Sequence, residues 1–377
     1  STSSGKVIIY NYNGTSWNKM GNNIDGEAAG DECGKVSISS DGFTVAIGAP
    51  YNDGTTGNGN DNRGHVRVYS YNGSSWTQIG QDIDGEAAGD ASGISVSIND
   101  NGNIVAIGAY GNDNATYYSG HVRVYENING TWSQIGSDID GEDAYDSSGW
   151  SVSISDDGNT VAIGAPYNDE SGNEAGHVRI YNWNGTSWNQ LGNDIDGEAA
   201  GDESGMSASL SSDGNTVAIG AYGNDGNGSW SGHVRIYNYN GSSWNQIGQD
   251  IDGEAVDDYS GYSVSLSSDG SKVAIGAEGN DGNGNLSGHV RIYDNIGGNW
   301  SQIGQDIDGD QAGDKSGRFI SLSADGNTVA ISSFLHDGNS INDGMVRIYE
   351  NIGGAWSQVG QDIYGEAAGD QSGYSVS

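Results

Sequence analysis

The sequence predicts an all-β fold: a seven-bladed β-propeller of four-stranded antiparallel blades. Three observations lead there. A Trp recurs at positions 17, 76, 132, 188, 244, 300 and 356, with a spacing of 59 residues and then a constant 56. Each interval holds four short strand-like runs separated by tight-turn signals. No stretch shows the 3.6-residue apolar period of an amphipathic helix. Four strands repeated every forty to sixty residues are the signature of propeller blades.

The runs follow one order in every repeat. The first, "SGYSVSLS" at 260–267, alternates apolar with small polar residues, as a half-buried strand does. The turn "SDG" leads to the second, "KVAIGA" at 272–277. A long polar loop precedes the third, "GHVRIYD" at 288–294. A short Asn/Gly turn then reaches the fourth, "NWSQIGQDI" at 299–307.

There are seven first strands, seven third strands and seven fourth strands, but six second strands. The chain opens on a third strand near Gly5–Tyr10 and stops within a first strand at Gly373–Ser377. The two ends are expected to share the seventh blade and so fasten the ring. One domain, 1–377, is expected, either cut from a longer chain or closed by a three-stranded last blade.

Composition narrows the function. The formal net charge is −38, with 13 Lys and Arg against 51 Asp and Glu. Nucleic acid and anionic membrane are poor partners for such a surface. Divalent cations and uncharged glycans suit it better. No apolar run is long enough to span a bilayer. The 10 Trp and 21 Tyr recur at fixed spacing, as a packed core requires and a disordered acidic chain does not. The single Cys33 excludes an internal disulfide and is expected to be a buried thiol. The chain opens at Ser1, which fits a secreted protein whose leader has been removed or left out.

The phrases "SGxSVS", "DGNTVAIGAP" and "GHVRVY" together resemble the FG-GAP repeat, the blade of integrin α-subunit propellers and of secreted bacterial and algal proteins. The resemblance runs the length of the chain, with "SG" where that family has Phe-Gly. It implies an extracellular or cell-surface propeller used in adhesion or recognition and rarely in catalysis. Many such blades carry a DxDxDG calcium loop between strands one and two. Here that turn is only "SSDGNT" or "SDDGNT", too poor in oxygen ligands for calcium, so those ligands do not carry over.

Antiparallel connectivity puts the two long connections of each blade on one face. Almost all the surplus acid lies there, where function is expected. In "DIDGEAAGD", Asp82, Asp84, Glu86 and Asp90 are candidate cation ligands. The equivalents of Asp90 (Asp31, Asp146, Asp202, Asp258, Asp314 and Asp370) are expected around the channel mouth. The competing reading is that these carboxylates cap their own loop. In the two–three loops, Asp281, Asn283 and Asn285, with Asp225 and Asn227, alternate with Gly as calcium ligands do, or simply form turns. Calcium is the one cofactor expected.

Five His (His65, His121, His177, His233, His289) recur in "GHVR". Lying on third strands of different blades, they cannot meet at one ion, and packing between blades is expected. Trp150 and Trp183 are likewise expected in the core. Aromatics that break the repeat, Tyr117, Tyr118 and Trp230, suit stacking on sugars. Phe334 and His336 mark a divergent loop that could meet a partner. Nine Asn-x-Ser/Thr sequons occur, at Asn13, Asn72, Asn114, Asn129, Asn184, Asn227, Asn240, Asn285 and Asn299.

No catalytic constellation stands out. The expected function is an adhesive or structural propeller in a larger surface assembly, with a protein or glycan partner. A lectin-like module on the long-loop face is the alternative, and a hydrolase at the acidic channel mouth the third. The chain is expected not to be an enzyme.

Overall fold

The computed structural model describes residues 3–54 and 61–377. The first two–three loop, longer than its counterparts, therefore lies partly outside the described residues. All regular structure among the described residues is β, arranged as a propeller.

One blade shows how the repeat folds. Ser95–Ile98 pairs antiparallel with Ile104–Ala109, which pairs with His121–Ile128. The outer edge is divided. Thr131–Gln134 pairs with the far half of the third strand and Ile139–Asp140 with its near half. The sequence predicts one continuous fourth strand, but the "IGSD" segment between these pieces leaves the ladder. Gly136, at φ 78, makes that departure, and an added Cβ there would sit 2.7 Å from the Trp188 ring of the next repeat. The break lets the next Trp approach.

Six such blades form, not the seven expected. The remaining elements at the N-terminus are two separate ladders: Lys6–Val7 with Ile24–Asp25, and Tyr10–Tyr12 with Trp17–Lys19. The physical reason is the absent second strand. Without a "VAIGA" segment, nothing hydrogen-bonds the N-terminal third strand to the C-terminal segment at 373–377, which forms no strand. These pieces nevertheless lie between the first and last complete blades. Trp17 Nε1 donates to Val359 O at 2.9 Å, and Gln361 Nε2 donates to Trp17 O at 2.8 Å. On the other side Trp76 Nε1 donates to Met20 O at 2.8 Å, and Val36 N donates to Ser375 Oγ at 3.2 Å.

The core lies between blades. One cluster joins Val66, Val68 and Ile83 of one blade to Ile98, Val105, Ile107 and Trp132 of the next. Near the axis the blades touch through backbone. A Cβ on Gly108 would stand 2.0 Å from Gly149 O, so the glycines of "IGA" and "SG" are both required by the approach of neighbouring inner strands.

Deleting residues 1–20 is expected to lower the melting temperature of the whole ring. It removes the Trp17 contacts with Val359 and Gln361 and exposes the flanks of two blades. Differential scanning calorimetry of the truncated chain checks this, and an unchanged melt would refute closure through these residues.

Candidate functional site at the channel mouth

Each inner strand begins at the channel, and its approach has one geometry in every repeat. The residue two before the "SG" glycine is in the left-handed region seven times: Glu32, Ala91, Ser147, Glu203, Tyr259, Lys315 and Gln371, with φ between 50° and 56°. None is glycine. A left-handed non-glycine residue is uncommon and costs stability. Here the fold repeats it with six different residue types, Glu alone being used twice. The residue after "SG" varies in the same way: Ile94, Trp150, Met206, Tyr262, Arg318 and Tyr374. The scaffold is symmetric and its lining is not.

These variable positions converge with the ends of the second strands. Arg318 holds Glu278, its Nη1 lying 2.7 Å from both carboxylate oxygens, and Lys315 Nζ stands 3.4 Å from Oε1. The Arg318 guanidinium also lies 4.5 Å from the Tyr262 ring and 5.2 Å from the Phe334 ring. Lys35 follows round the mouth, its ammonium 4.4 Å from the Tyr374 ring and 5.3 Å from that of Phe319. Burial, and then the charge of Arg318, holds the Lys35 amine down to about 8 against the pull of Glu32. On the other side Tyr222 donates to Glu203 Oε2 at 2.7 Å. Burial raises the Glu203 carboxyl above its ordinary value, opposing that hydrogen bond. Tyr222 packs against Tyr262 at 5.4 Å, and Trp150 against Tyr110 and Tyr167 at 5.1 and 5.9 Å.

The result is an aromatic-walled mouth carrying two partly buried cations, a paired carboxylate and a second carboxylate of raised pKa. Such a set can hold an anionic or oxygen-rich ligand and move a proton beside it. Sequence reasoning missed Lys35, Glu203, Tyr222, Tyr262, Glu278 and Arg318. The signal was present: "SGxS" is constant except at x, and Lys35 and Phe319 stand where other repeats have the Ser of Ser95.

Most of the expected site residues belong to local networks of their own loops. Asp90 is buried and accepts from Glu86 N and Ala87 N at 3.0 and 2.8 Å. It caps its own loop. Asp31, Asp146, Asp202, Asp258, Asp314 and Asp370 accept from backbone N–H groups in the same way. Asp84 closes the short outer strand opposite His65. Asp82 and Glu86 fall in separate groups, Asp82 near His65 and Glu86 near His121. Asp225 accepts from Trp230 N at 2.8 Å and Asp281 from Leu286 N at 2.7 Å. Asn227 and Asn283 donate to Gly253 O and Gly309 O at 2.9 and 3.0 Å, and Asn285 to Asp281 at 3.3 Å.

Trp230 belongs to the mouth, 5.6 Å from Tyr222. Tyr117 and Tyr118 instead form an outlying group with Tyr145. Phe334 is buried against Phe319 and Tyr374, and His336 Nδ1 is 3.0 Å from Asp314, so neither offers an open partner surface. Trp150 lines the mouth, whereas Trp183 packs on Trp188 at 5.4 Å. The sequons Asn13, Asn72, Asn184 and Asn240 accept from their own turns. Asn114 donates to Glu86 at 2.9 Å. Asn129 and Asn299 sit at hairpin ends. Cys33 is a buried free thiol, pushed up by burial to about 11.

Residues 138–181 match the model of the FG-GAP repeat, about one blade's worth. Among curated proteins, none matches in sequence. Solved structures match over the whole ring. A Bacteroides uniformis protein described as a 6-phosphogluconolactonase aligns with TM-score 0.61 at 14% identity over 96% of both chains. A Pseudomonas aeruginosa periplasmic gluconolactonase aligns with TM-score 0.60 at 13% identity over 95% of both. A Kuenenia stuttgartiensis hydrazine synthase aligns less fully, with TM-score 0.53 at 12% identity over 86% of this chain and 78% of that one. Identity at this level establishes the propeller fold. The expectation of an adhesive, non-enzymatic propeller is corrected: propellers that match this chain end to end carry enzyme names, and the mouth holds carboxylate and cationic groups that the repeat pattern concealed.

Arg318→Ala is expected to destabilise the ring by about 3 kcal/mol, because it leaves the buried Glu278 carboxylate with only the longer Lys315 contact. Arg318→Ala combined with Glu278→Ala should recover much of the loss. Urea titration of the three proteins measures it, and equal stability of the single and double variants would refute the pairing.

Proposed function

We propose that this chain is a lactonase-type hydrolase that opens an anionic sugar lactone at the channel mouth. The observation that carries the reading is the convergence of Lys35, Arg318, Glu278 and Glu203 in an otherwise repetitive, strongly acidic ring. The names of the full-length structural neighbours support it.

The chemistry is the addition of one water to an ester carbonyl. The water oxygen bonds to the carbonyl carbon, the ring C–O bond breaks, and the product is a hydroxy acid. Glu203, with its raised pKa, is suited to take the water proton and return it to the departing ring oxygen. Tyr222 orients Glu203 and is a positioning residue. Arg318 and Lys35 stabilise the negative charge that develops on the carbonyl oxygen and hold the anionic group of the substrate. Glu278 fixes Arg318. The aromatic wall offers faces for the apolar side of a sugar ring.

On the same footing we propose that the N- and C-terminal pieces act as a seventh sector of the ring, from the contacts of Trp17 and Ser375. We also propose a location outside the cytoplasm, supported by the periplasmic neighbour.

The test is proton release from 6-phosphogluconolactone and from gluconolactone, followed by pH-stat above the spontaneous rate. The phosphorylated substrate is expected to be favoured, and Glu203→Gln to lower kcat about a hundredfold. No rate above background on either lactone would overturn the reading. Lys35 carries its charge below about 8. The KM for the anionic lactone should therefore rise as pH passes upward through 8, and Lys35→Met should remove that limb. An alkaline limb that survives in Lys35→Met would assign it to another group.

A further inference from the structure

The five "GHVR" histidines do not meet one another, yet each meets carboxylates at the seam between consecutive repeats, two in four cases and three at His177. Glu27, His65 and Asp82 form one group; Glu86, His121 and Asp138 the next. The others are Glu142, Glu170, His177 and Asp194; Glu198, His233 and Asp250; and Glu254, His289 and Asp306. Within each, the ligand-capable atoms lie within 4.8 Å of one another. One Glu comes from the earlier repeat and the His and Asp from the following one, as does the extra Glu170.

Three observations mark these seams as more than acidic surface. First, the imidazoles are buried, Nε2 lacks a partner in all five, and in two of them Nδ1 lacks one as well. His121 and His177 are 0% exposed, and Nδ1 and Nε2 of each have no hydrogen-bond partner. A buried polar atom without a partner is costly. Yet His121 Nδ1 points at Asp138 Oδ2 from 3.9 Å, and His177 Nδ1 at Asp194 Oδ2 from 3.9 Å. That gap is too long for a hydrogen bond. It is close to the separation, roughly 3.4 Å or more, of two ligands that share an ion about 2.1 Å from each.

Second, each seam gathers more carboxylates than cations: two beside a single Arg in four seams, and three at His177.

Third, the two seams without His are filled by cations of the protein itself. Met345 stands in the His position of the sixth blade, and there Arg347 turns onto the carboxylates. Its Nη2 lies 2.6 Å from Asp310 and its Nε 2.8 Å from Asp362. In the His blades the corresponding Arg donates to a backbone carbonyl, as Arg123 does to Asp84 O at 2.8 Å, and meets the seam Glu only at longer range, Arg123 Nη1 lying 3.7 Å from Glu86 and Arg179 Nη1 3.3 Å from Glu142. At the seam where the termini meet, Lys6 takes the His position, and its ammonium pairs with Glu366.

We propose that each of the five His seams binds a divalent first-row cation of the zinc class through the His Nδ1, the Asp and the Glu, stapling consecutive repeats. The imidazole nitrogen favours such an ion over calcium, whose ligands are oxygens. The Glu carboxylates are half-exposed, so an ion can enter from solvent. The inference is independent of the lactonase reading.

The full chain, stripped with chelator, is incubated with Zn2+ in excess Mg2+ at about 150 mM salt, where diffuse surface attraction is screened. After desalting, the metal is counted by plasma mass spectrometry. About five Zn2+ per chain are expected, one per seam, with a higher melting temperature than the stripped protein. His121→Ala should lose one equivalent, and His121→Ala with His177→Ala two. Should the His variants not fold, Glu86→Gln with Asp138→Asn removes the charged ligands of one seam while leaving its buried ring in place, and should also lose one. Less than one retained Zn2+ per chain, or a count unchanged in the variants, would overturn the proposal.

Discussion

The structure depends on one hydrogen bond repeated round the ring. The indole N–H of each recurring Trp donates to a backbone carbonyl of the preceding repeat: Trp132 to Ile79, Trp188 to Ile135, Trp244 to Leu191, Trp300 to Ile247 and Trp356 to Ile303, at 2.8 to 2.9 Å. Trp17 and Trp76 make the same bond across the junction of the termini. No single sheet could hide its apolar faces from water. Each does so only against the next, and the Trp sets the distance and angle at which they meet. A chain with little apolar mass per repeat can fold on these terms because every interface is complete.

Much of this was legible in the sequence, for a physical reason. Trp, the Val-Ala-Ile run and the "SG" and "IGA" glycines all serve the blade interface, which recurs, so the residues recur. Their period gave the strand order and the all-β class. The blade count was not legible in the same way. Counting strand-like words treats Gly5–Tyr10 and Gly373–Ser377 as parts of one blade, whereas a blade needs the ladder that only the second strand supplies. The break in the fourth strand was also hidden, because "WSQIG" keeps a strand-like composition through the glycine at which the ladder ends.

The candidate site was hidden by the strength of the same signal. Acidic residues such as Asp90 and Asp258 repeat because every loop needs a cap, and repetition drew attention to them. Lys35 and Arg318 each occur once at their position and Glu203 shares its position only with Glu32, and in a sequence dominated by repeats such departures read as drift. Geometry reverses that weighting. The left-handed position before "SG" is occupied seven times without a glycine, although glycine would relieve the strain and is plentiful elsewhere in the chain. Side chains are kept where their backbone is least comfortable.

Charge separates the two levels of the molecule. Arg67, Arg123, Arg179, Arg235 and Arg291 lie at the seams, each bonded to a backbone carbonyl of the preceding repeat. They serve the ring and repeat with it. Lys35, Lys315 and Arg318 do not repeat. In a chain with 13 basic residues and a net charge of −38, they gather at one mouth, Arg318 and Lys315 on Glu278 of the preceding blade and Lys35 beside the Tyr374 and Phe319 rings. The cations that hold the ring recur with it, and those that break its symmetry do so together at the channel mouth.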